Sequence, residues 1–580
     1  MTPRYYEDEL RYLHEAGTAF AQVHPDQARY LNIDSLTDRD PYVERLFEGF
    51  AFLTGRIRER LDDELPQYTE SLFRLLHPHF IKPVPALSIL EFQPRPGMLQ
   101  QTTRLERGTQ VYSRAVGHES TACRFTTAYS VPLHPLQLAE ARLEWPEAAQ
   151  SSVTLHFQVD RGVAYEKLDL QRLRLYCYAE PATASMMHLF FTRHVARLHV
   201  RAGEAEMTQL GQQWVQPVGF SPDEGLLPYS PSSFTGYRLL QEYFCFRPKF
   251  WFFDLLGLDR FALPAGTTDF QVQIHFDRAY PEEHAFQANN LRLYCTPIVN
   301  LFETDAEPIR VDHRVSEYRV VGDVRRPQTV AVYDVQQVTG IEETTGRRHT
   351  YNPFFSFTHQ EQAERFFAEN TRVGPTGARE THLSLGGFGT DIARLPVETL
   401  TLEVRCTNAD LPREALQEHS IDQPAPGFAN VTTFHNLTRP SRMLPPPTQE
   451  NQQFFWQLIS HLALNRMSVA TTEALVSLLR LYDWTHAEAN RRRIAGIRNV
   501  SWEPTESVQR GGVIRGIHVT LEVQDGHFAD EGDLHLFGSV LSTFFSMYAT
   551  INSFVQFTLI ATPSGKQYPW QPQKGVLPLA

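Results

Sequence analysis

The residues able to do chemistry are scattered along the chain rather than gathered into a recognisable constellation. His14-Glu15 starts like a zinc-binding helix, but Thr18 stands where the second histidine is needed. His77 and His79 flank Pro78 and could share one side of a turn, yet no third ligand lies near them in sequence. Hydrogen bonding at a helix end accounts for the pair. Asp62, Asp63 and Glu64 are adjacent, and neighbours on a helix do not face one another, so a solvated face is expected. Gly386-Gly387-Phe388-Gly389 lacks the third glycine of a dinucleotide loop and sits in a strand-rich stretch. Neither a phosphate-binding GxxxxGK[ST] nor a GxSxG elbow occurs, and Gly538-Ser539 falls within an amphipathic helical pattern. The five cysteines, Cys123, Cys177, Cys245, Cys295 and Cys406, are widely spaced with no CxxC, which suggests buried free thiols in a reducing compartment. No catalytic residue, metal site or cofactor is expected. A β-rich carbohydrate-active enzyme stays open as the alternative, because such enzymes show only scattered carboxylates.

Composition narrows the field further. The 580 residues, 42% apolar and 21% charged, can fill several cores. At about 150 residues per domain the length suggests about four domains. A net charge of -13 disfavours nucleic acid or an anionic bilayer as the principal partner. The densest basic run, Arg491 to Arg493, reads as a solvated face or as partners for acidic residues. The first residues, MTPRYYEDELRYL, have no apolar core and read as no secretory signal; Phe250 to Leu258 is too short to cross a bilayer and contains Asp254.

The elements follow from periodicity. Tyr6, Leu10, Leu13, Gly17 and Phe20 recur at threes and fours, as on one helix face. Asp40-Pro41 is a helix start, and Val43, Leu46, Phe50, Leu53, Ile57 and Leu61 continue from it with the same spacing. A third helix is expected over Leu72 to Phe80, broken by Pro78, Pro83 and Pro85. From about Ala86, short runs such as LSILEF, SVTLHFQV and FQVQIHF predict antiparallel strands. Leu170 to Pro181 and Ala288 to Val299 resemble each other, with a weaker echo at Leu400 to Pro412, which suggests more than one sheet. Glu342 to Arg379 is polar and turn-rich and reads as an excursion loop. After the linker Leu444 to Pro447, helices are expected over Phe454 to Asn465 and Thr471 to Trp484, the second capped by Thr472. Strands at Gly516 to Val523 and Phe554 to Ile560 then bracket a helix at Asp533 to Tyr548. The fold class is multidomain α+β: a helical segment over 1–85, β-rich regions over 86–305 and 306–443, and an α+β domain over 444–580.

Several long blocks, taken together, resemble one family. They are YYEDELRYLHEAGTAFAQVHP, then DRDPYVERLFEGFAFLTGRIRERLDDELPQYTESLFRLLHPHFIKPVPALSI, LLPYSPSSFTGYRLLQEYFCFRPKFWFFDLLGL, NNLRLYCTPIVNLFETDAEPIRVDHRVSEYRVVGD and GDLHLFGSVLSTFFSMYATINSFVQF. They cover nearly the whole chain and are similar to TssF, the baseplate subunit of bacterial type VI secretion systems. The resemblance implies a wedge component of a phage-tail-like baseplate in the cytoplasm, docked at the inner face of the inner membrane. It implies assembly with TssG and a second copy of TssF, with TssK linking to the membrane complex, TssE to the sheath, and the VgrG spike at the hub. It brings no catalytic residues.

Assembly then has to be carried by apolar surfaces. Tyr6, Leu10, Leu13, Phe20, Leu46, Phe50, Leu53 and Ile57 are expected to face a core shared with TssG or with the second TssF. Tyr237 to Phe253 holds more aromatics than one element face usually buries, so Phe244 and Trp251 are candidate contacts. Phe537, Phe544 and Tyr548 are candidates on the C-terminal helix.

Overall fold

The computed structural model describes residues 6–7, 10–14, 16, 41–54, 77–147, 150–163, 168–230, 233–261, 267–312, 315–354, 365–374, 379–387, 397–425, 432–447, 470–509 and 512–575. The architecture is multidomain α+β, as the alternation of helical and strand periods implies.

Three antiparallel sheets build the first half. The six-stranded sheet runs in the order Gln423–Pro424, Gln110–Val116, Thr121–Thr127, Cys295–Val299, Leu87–Pro94, Thr432–Asn436. A five-stranded sheet orders Ala205–Leu210, Val195–Ala202, Asp269–Phe276, Gln150–Val159, Leu136–Glu147. Its strands alternate strictly: in Asp269–Phe276 every second side chain from Phe270 to Phe276 is buried and the others are at least partly exposed. The four-stranded sheet pairs the two similar segments with each other, Leu291 opposite Cys177 and Leu293 opposite Leu175. The weaker echo, in Glu398–Thr407, belongs to a different sheet.

Two helices interrupt this β-rich region where sequence periodicity offered no helix. Pro181–Arg193 is buried on almost every side, so it has no polar face from which to read a period. Thr235–Cys245 opens the aromatic block.

A second unit occupies residues 302–407. An eight-stranded sheet built on Glu398–Thr407 and Ala331–Glu342 surrounds its own small core of Val311, Val338, Leu383, Leu400 and Cys406. The expected excursion loop contains strands here, Arg348–Pro353 and Arg365–Val373; their outer residues are polar, while Tyr351, Phe366 and Phe367 anchor them inward. Entry to and exit from this unit are pinned together. Asn300 Oδ1 accepts from Thr407 Oγ1 (2.7 Å) and from the Asn408 amide (2.7 Å), while Asn300 Nδ2 donates to the Arg124 carbonyl (2.7 Å) and to Asn408 Oδ1 (2.9 Å). Asn300 and Asn408 are buried, so all these groups depend on one another for satisfaction.

The C-terminal sheet contains the strands Ile497–Gln509, Gly512–Gln524 and Ser553–Thr562. The last two run parallel, and the helix Glu531–Met547 makes the crossover a parallel pair requires. Thr471, not Thr472, is the N-cap of the helix Thr472–Tyr482; Thr472 Oγ1 instead accepts from the Val500 amide at 2.9 Å.

The large core does not respect the expected boundaries at 305/306 and 443/444. It runs from Phe80 to Tyr568 and takes in Phe434 and Leu437 as well as the C-terminal helix. The helices Glu531–Met547 and Pro181–Arg193 touch backbone to backbone: a Cβ on Gly532 would lie 2.4 Å from the Ser185 carbonyl carbon. A buried ionic hub stands beside this crossing. Asp533 accepts from Arg493 Nε (3.0 and 2.9 Å) and from Arg247 Nη2 (2.5 Å), and its Oδ2 accepts from the Ala529 amide (3.1 Å). Arg493, one of the basic run, thus serves as a partner for an acidic residue.

Candidate assembly interface

Residues 41–54 form a helix that begins at Pro41, the first-turn position a missing N–H suits. At about 100° per residue, positions 42, 46, 50 and 53 fall within a sector about 80° wide. That sector holds Tyr42, Leu46, Phe50 and Leu53, which are 80%, 57%, 52% and 57% exposed. The opposite side is occupied. Glu44 Oε2 lies 3.0 Å from His14 Nε2, the His14 and Phe47 ring centroids are 5.9 Å apart, and Ala51 is fully buried. The helix is therefore held by one face and presents a row of large apolar side chains on the other. Scattered exposed apolar residues are ordinary; four in a row on one helix face form a continuous patch.

Leu46, Phe50 and Leu53 were expected from spacing to share a face, and they do. Tyr42 was missed, although it stands four residues before Leu46. Tyr6, Leu10 and Leu13 are half-buried, while Phe20 and Ile57 lie outside the described residues, as do Asp62 to Glu64 and the helix expected at Phe454 to Asn465.

The other candidate contacts are corrected by burial. Phe244, Trp251, Phe537 and Phe544 are 4%, 6%, 1% and 0% exposed. Tyr548 is half-buried, and its hydroxyl donates to the Tyr237 hydroxyl at 2.9 Å. The aromatic block exceeds what one face can bury because it is three elements: the helix Thr235–Cys245, a turn at Arg247–Phe250 and the strand Phe252–Leu256. Each directs its rings into a different wall. Tyr243 approaches Phe537 at 6.0 Å between centroids, Phe253 stacks on Phe191 at 4.4 Å, and Phe234 meets Tyr548 at 4.2 Å. These side chains hold the chain's own core together.

Behind the N-terminal helices, the segment Ile81–Lys82 is gripped by the second unit. Lys82 Nζ pairs with Glu369 and donates to the Tyr333 carbonyl at 2.9 Å, and Arg379 Nη2 donates to the Ile81 carbonyl at 3.2 Å. Val84 and Leu444 then exchange two backbone hydrogen bonds of 2.9 Å.

The residues with catalytic or metal-binding chemistry are not drawn together. His77 and His79 meet edge to edge at 5.7 Å; His79 stacks on Tyr229 at 4.8 Å, and burial, reinforced by His77, pushes it well below the usual histidine range. Among the described residues no group of three or more His, Cys, Asp or Glu could hold a metal. Gly386 and Gly387 end a strand, and Gly538-Ser539 lies within the Glu531–Met547 helix. Burial pushes the Cys123 and Cys406 thiols up to about 12, which makes both inert. Three cavities, of about 340, 380 and 400 Å³, contain Arg107 and Arg405, Arg104 and Arg172, and Phe220 and Met547 respectively. Glu303 is the sole carboxylate in the first, Asp169 in the second, and the third has none. The two facing carboxylates of a glycosidase are absent from all three. No described helix is long and apolar enough to cross a membrane.

An unpartnered apolar helix on a multi-sheet scaffold, without a catalytic cluster among the described residues, is the anatomy of an assembly subunit, and the comparisons with known proteins say of which assembly. A chain of the TssK–TssF–TssG baseplate subcomplex, solved by cryo-electron microscopy, superposes with a TM-score of 0.81 at 34% identity, over 91% of this chain and 98% of that one. A chain of the type VI secretion baseplate complex matches with a TM-score of 0.65 at 31% identity over the whole of both. The curated type VI secretion component TssF1 of Pseudomonas aeruginosa is 30% identical over the full length of both chains. These define a structural component of the type VI secretion baseplate. The family model described as "Type VI secretion system, TssF" matches residues 2–576, and the chain belongs to that family.

Proposed function

We propose that this baseplate wedge component works as a scaffold without catalytic activity, and that the face of helix 41–54 bearing Tyr42, Leu46, Phe50 and Leu53 is its docking surface for a TssG-like subunit. The observation that carries the reading is that row of exposed side chains on a helix whose other face is already packed. Tyr6, Leu10 and Leu13 border the same helix pair and would complete a shared bundle. Burying the remaining exposed surface of Leu46, Phe50 and Leu53 would contribute about 3–5 kcal/mol, taking about half the value of full side-chain burial for each. Two copies per TssG-like subunit fit the wedge, with contacts to a TssK-like adaptor, to a TssE-like protein at the sheath and to the VgrG spike. Such a complex would act in the cytoplasm and reach the inner membrane through the adaptor. The chain's lack of paired carboxylates in its main cavities supports the scaffold reading over a carbohydrate-active enzyme.

Phe50→Asp and Leu53→Asp test it. Each would place an unpaired charge in the shared core, so co-purification with the TssG-like protein should be lost while the chain's own melting temperature is unchanged. Recovery of the complex from both variants would overturn the assignment of this face.

A further inference from the structure

The five-stranded sheet has an outer face that the wedge role, as described so far, leaves unused. Its inner face is apolar and buried, with Leu198, Val200, Val272 and Ile274 among its residues. The outer face is polar, as expected of an antiparallel sheet with one wet side, but its charges are not balanced. Register aligns its side chains in rows: Arg201 stands opposite Gln271, His199 opposite Gln273, and Arg197 opposite His275, while Gln271 is also opposite His156 on the next strand. Arg197, Arg201 and Gln271 are exposed, and His199, Gln273, His275 and His156 partly so.

The carboxylates lie at the rim and are engaged elsewhere. Glu206 Oε2 is 3.6 Å from His199 Nε2, Asp269 Oδ2 is 3.4 Å from His156 Nε2, and Glu140 Oε1 accepts from Arg142 Nε at 2.6 Å. Arg197 and Arg201 make no ion pair or hydrogen bond among the described residues. Burial, with Arg197 and His199 adding to it, pushes His275 below its usual range, a sign that positive charge crowds the middle of the face. In a chain of net charge -13 this is an inverted patch. Its chemistry is that of an interface: guanidinium forks, imidazoles and amides, which offer directional donors and lose little entropy when held. Two unpaired guanidinium groups four residues apart on one strand are about 13 Å apart. That is too sparse for a nucleic-acid backbone, where affinity comes from many phosphate contacts.

We propose that the outer face of this sheet, centred on Arg197, Arg201 and the Gln271–Gln273 row, docks a carboxylate-bearing face of another protein subunit in the assembled baseplate. The occupant is argued from charge complementarity: two arginines without partners, amides between them, and acids only at the rim. The proposal rests on the baseplate reading but uses a surface distinct from helix 41–54.

Footprinting tests it. The free chain and the chain in a complex isolated from cells making all the baseplate subunits are treated with phenylglyoxal, which modifies exposed arginine, and the products are mapped by mass spectrometry. Arg197 and Arg201 should react readily in the free chain and several-fold more slowly in the complex, while Arg142 at the rim changes less. Arg197→Glu with Arg201→Glu should leave the melting temperature unchanged and release the chain from the complex at lower salt. A recovered complex in which both arginines react as in the free chain overturns this proposal alone. Failure to recover any complex counts against the baseplate reading, and this proposal falls with it. Protection by a double-stranded DNA oligonucleotide equal to that in the complex would replace the acidic subunit with nucleic acid and also overturn it.

Discussion

Asp533→Ala is the perturbation whose cost the structure defines most sharply. The carboxylate is 2% exposed and is shared by Arg493, whose side chain is 7% exposed, and Arg247, at 17%. Removing it leaves two guanidinium groups in a largely dry site and orphans the Ala529 amide, whose acceptor is Asp533 Oδ2. Breaking a buried ion pair from one side costs about 3–5 kcal/mol, and here two cations lose their partner at once, so the upper end applies. The hub joins the turn after the aromatic helix to both C-terminal helical segments, so the loss should be felt across the large core. Urea unfolding of the purified chain, followed by tryptophan fluorescence, should show the midpoint of the large-core transition falling steeply. The triple replacement Asp533→Leu, Arg247→Met, Arg493→Met removes both signs of charge together and should recover most of the stability. A loss below about 1 kcal/mol for Asp533→Ala, the range of an exposed pair, would refute the claim that these charges are energetically buried.

Other expectations follow from the same coordinates. Gly532→Val should destabilise by several kcal/mol or prevent folding, because its Cβ would meet Ser185 and Met186 backbone atoms closer than any repacking allows; a soluble, normally melting variant would contradict the helix crossing. Glu531 receives hydrogen bonds from Arg278 (3.0 Å), Lys566 (3.0 Å) and Tyr568 (2.9 Å); burial opposes ionisation, but these donors prevail and lower the carboxyl from 4.5 to about 2. Since the folded value lies below the unfolded one, its stabilisation is complete above about pH 5 and is lost as pH falls from 4.5 toward 2. Glu531→Gln should therefore flatten the acid limb of a stability–pH curve, and an unchanged limb would argue against the network. Asn300→Ala breaks the four hydrogen bonds that pin the entry and exit of the 302–407 unit and should make its strands exchange amide hydrogens faster than the large core; equal exchange in both would refute a staple.

What could be read from the sequence followed from where side chains have one choice of face. Strands such as Asp269–Phe276 alternate because one side is wet, and helix 41–54 showed its stripe because its partner lies elsewhere. The helix Pro181–Arg193 was illegible for the opposite reason: buried all round, it carries no period. The aromatic block misled because density along the chain was taken as density on one surface, whereas three short elements spread the rings over several walls. The 342–379 stretch reads as a loop because its strands are polar outward and meet the core through only a few residues. The continuity of the core from Phe80 to Tyr568 depends on pairings such as Leu90 with Asn436, hundreds of residues apart, which no local pattern encodes.

The central claim is that this chain is a scaffold whose exposed N-terminal helix is completed by a partner. The most direct measurement is native mass spectrometry of the tagged chain co-expressed with the TssG-like protein, for the wild type and for Phe50→Asp. The account predicts a complex of two copies with one partner for the wild type and none for the variant. A wild-type chain that remains a soluble monomer beside its partner, or a variant that assembles as well as the wild type, would contradict it.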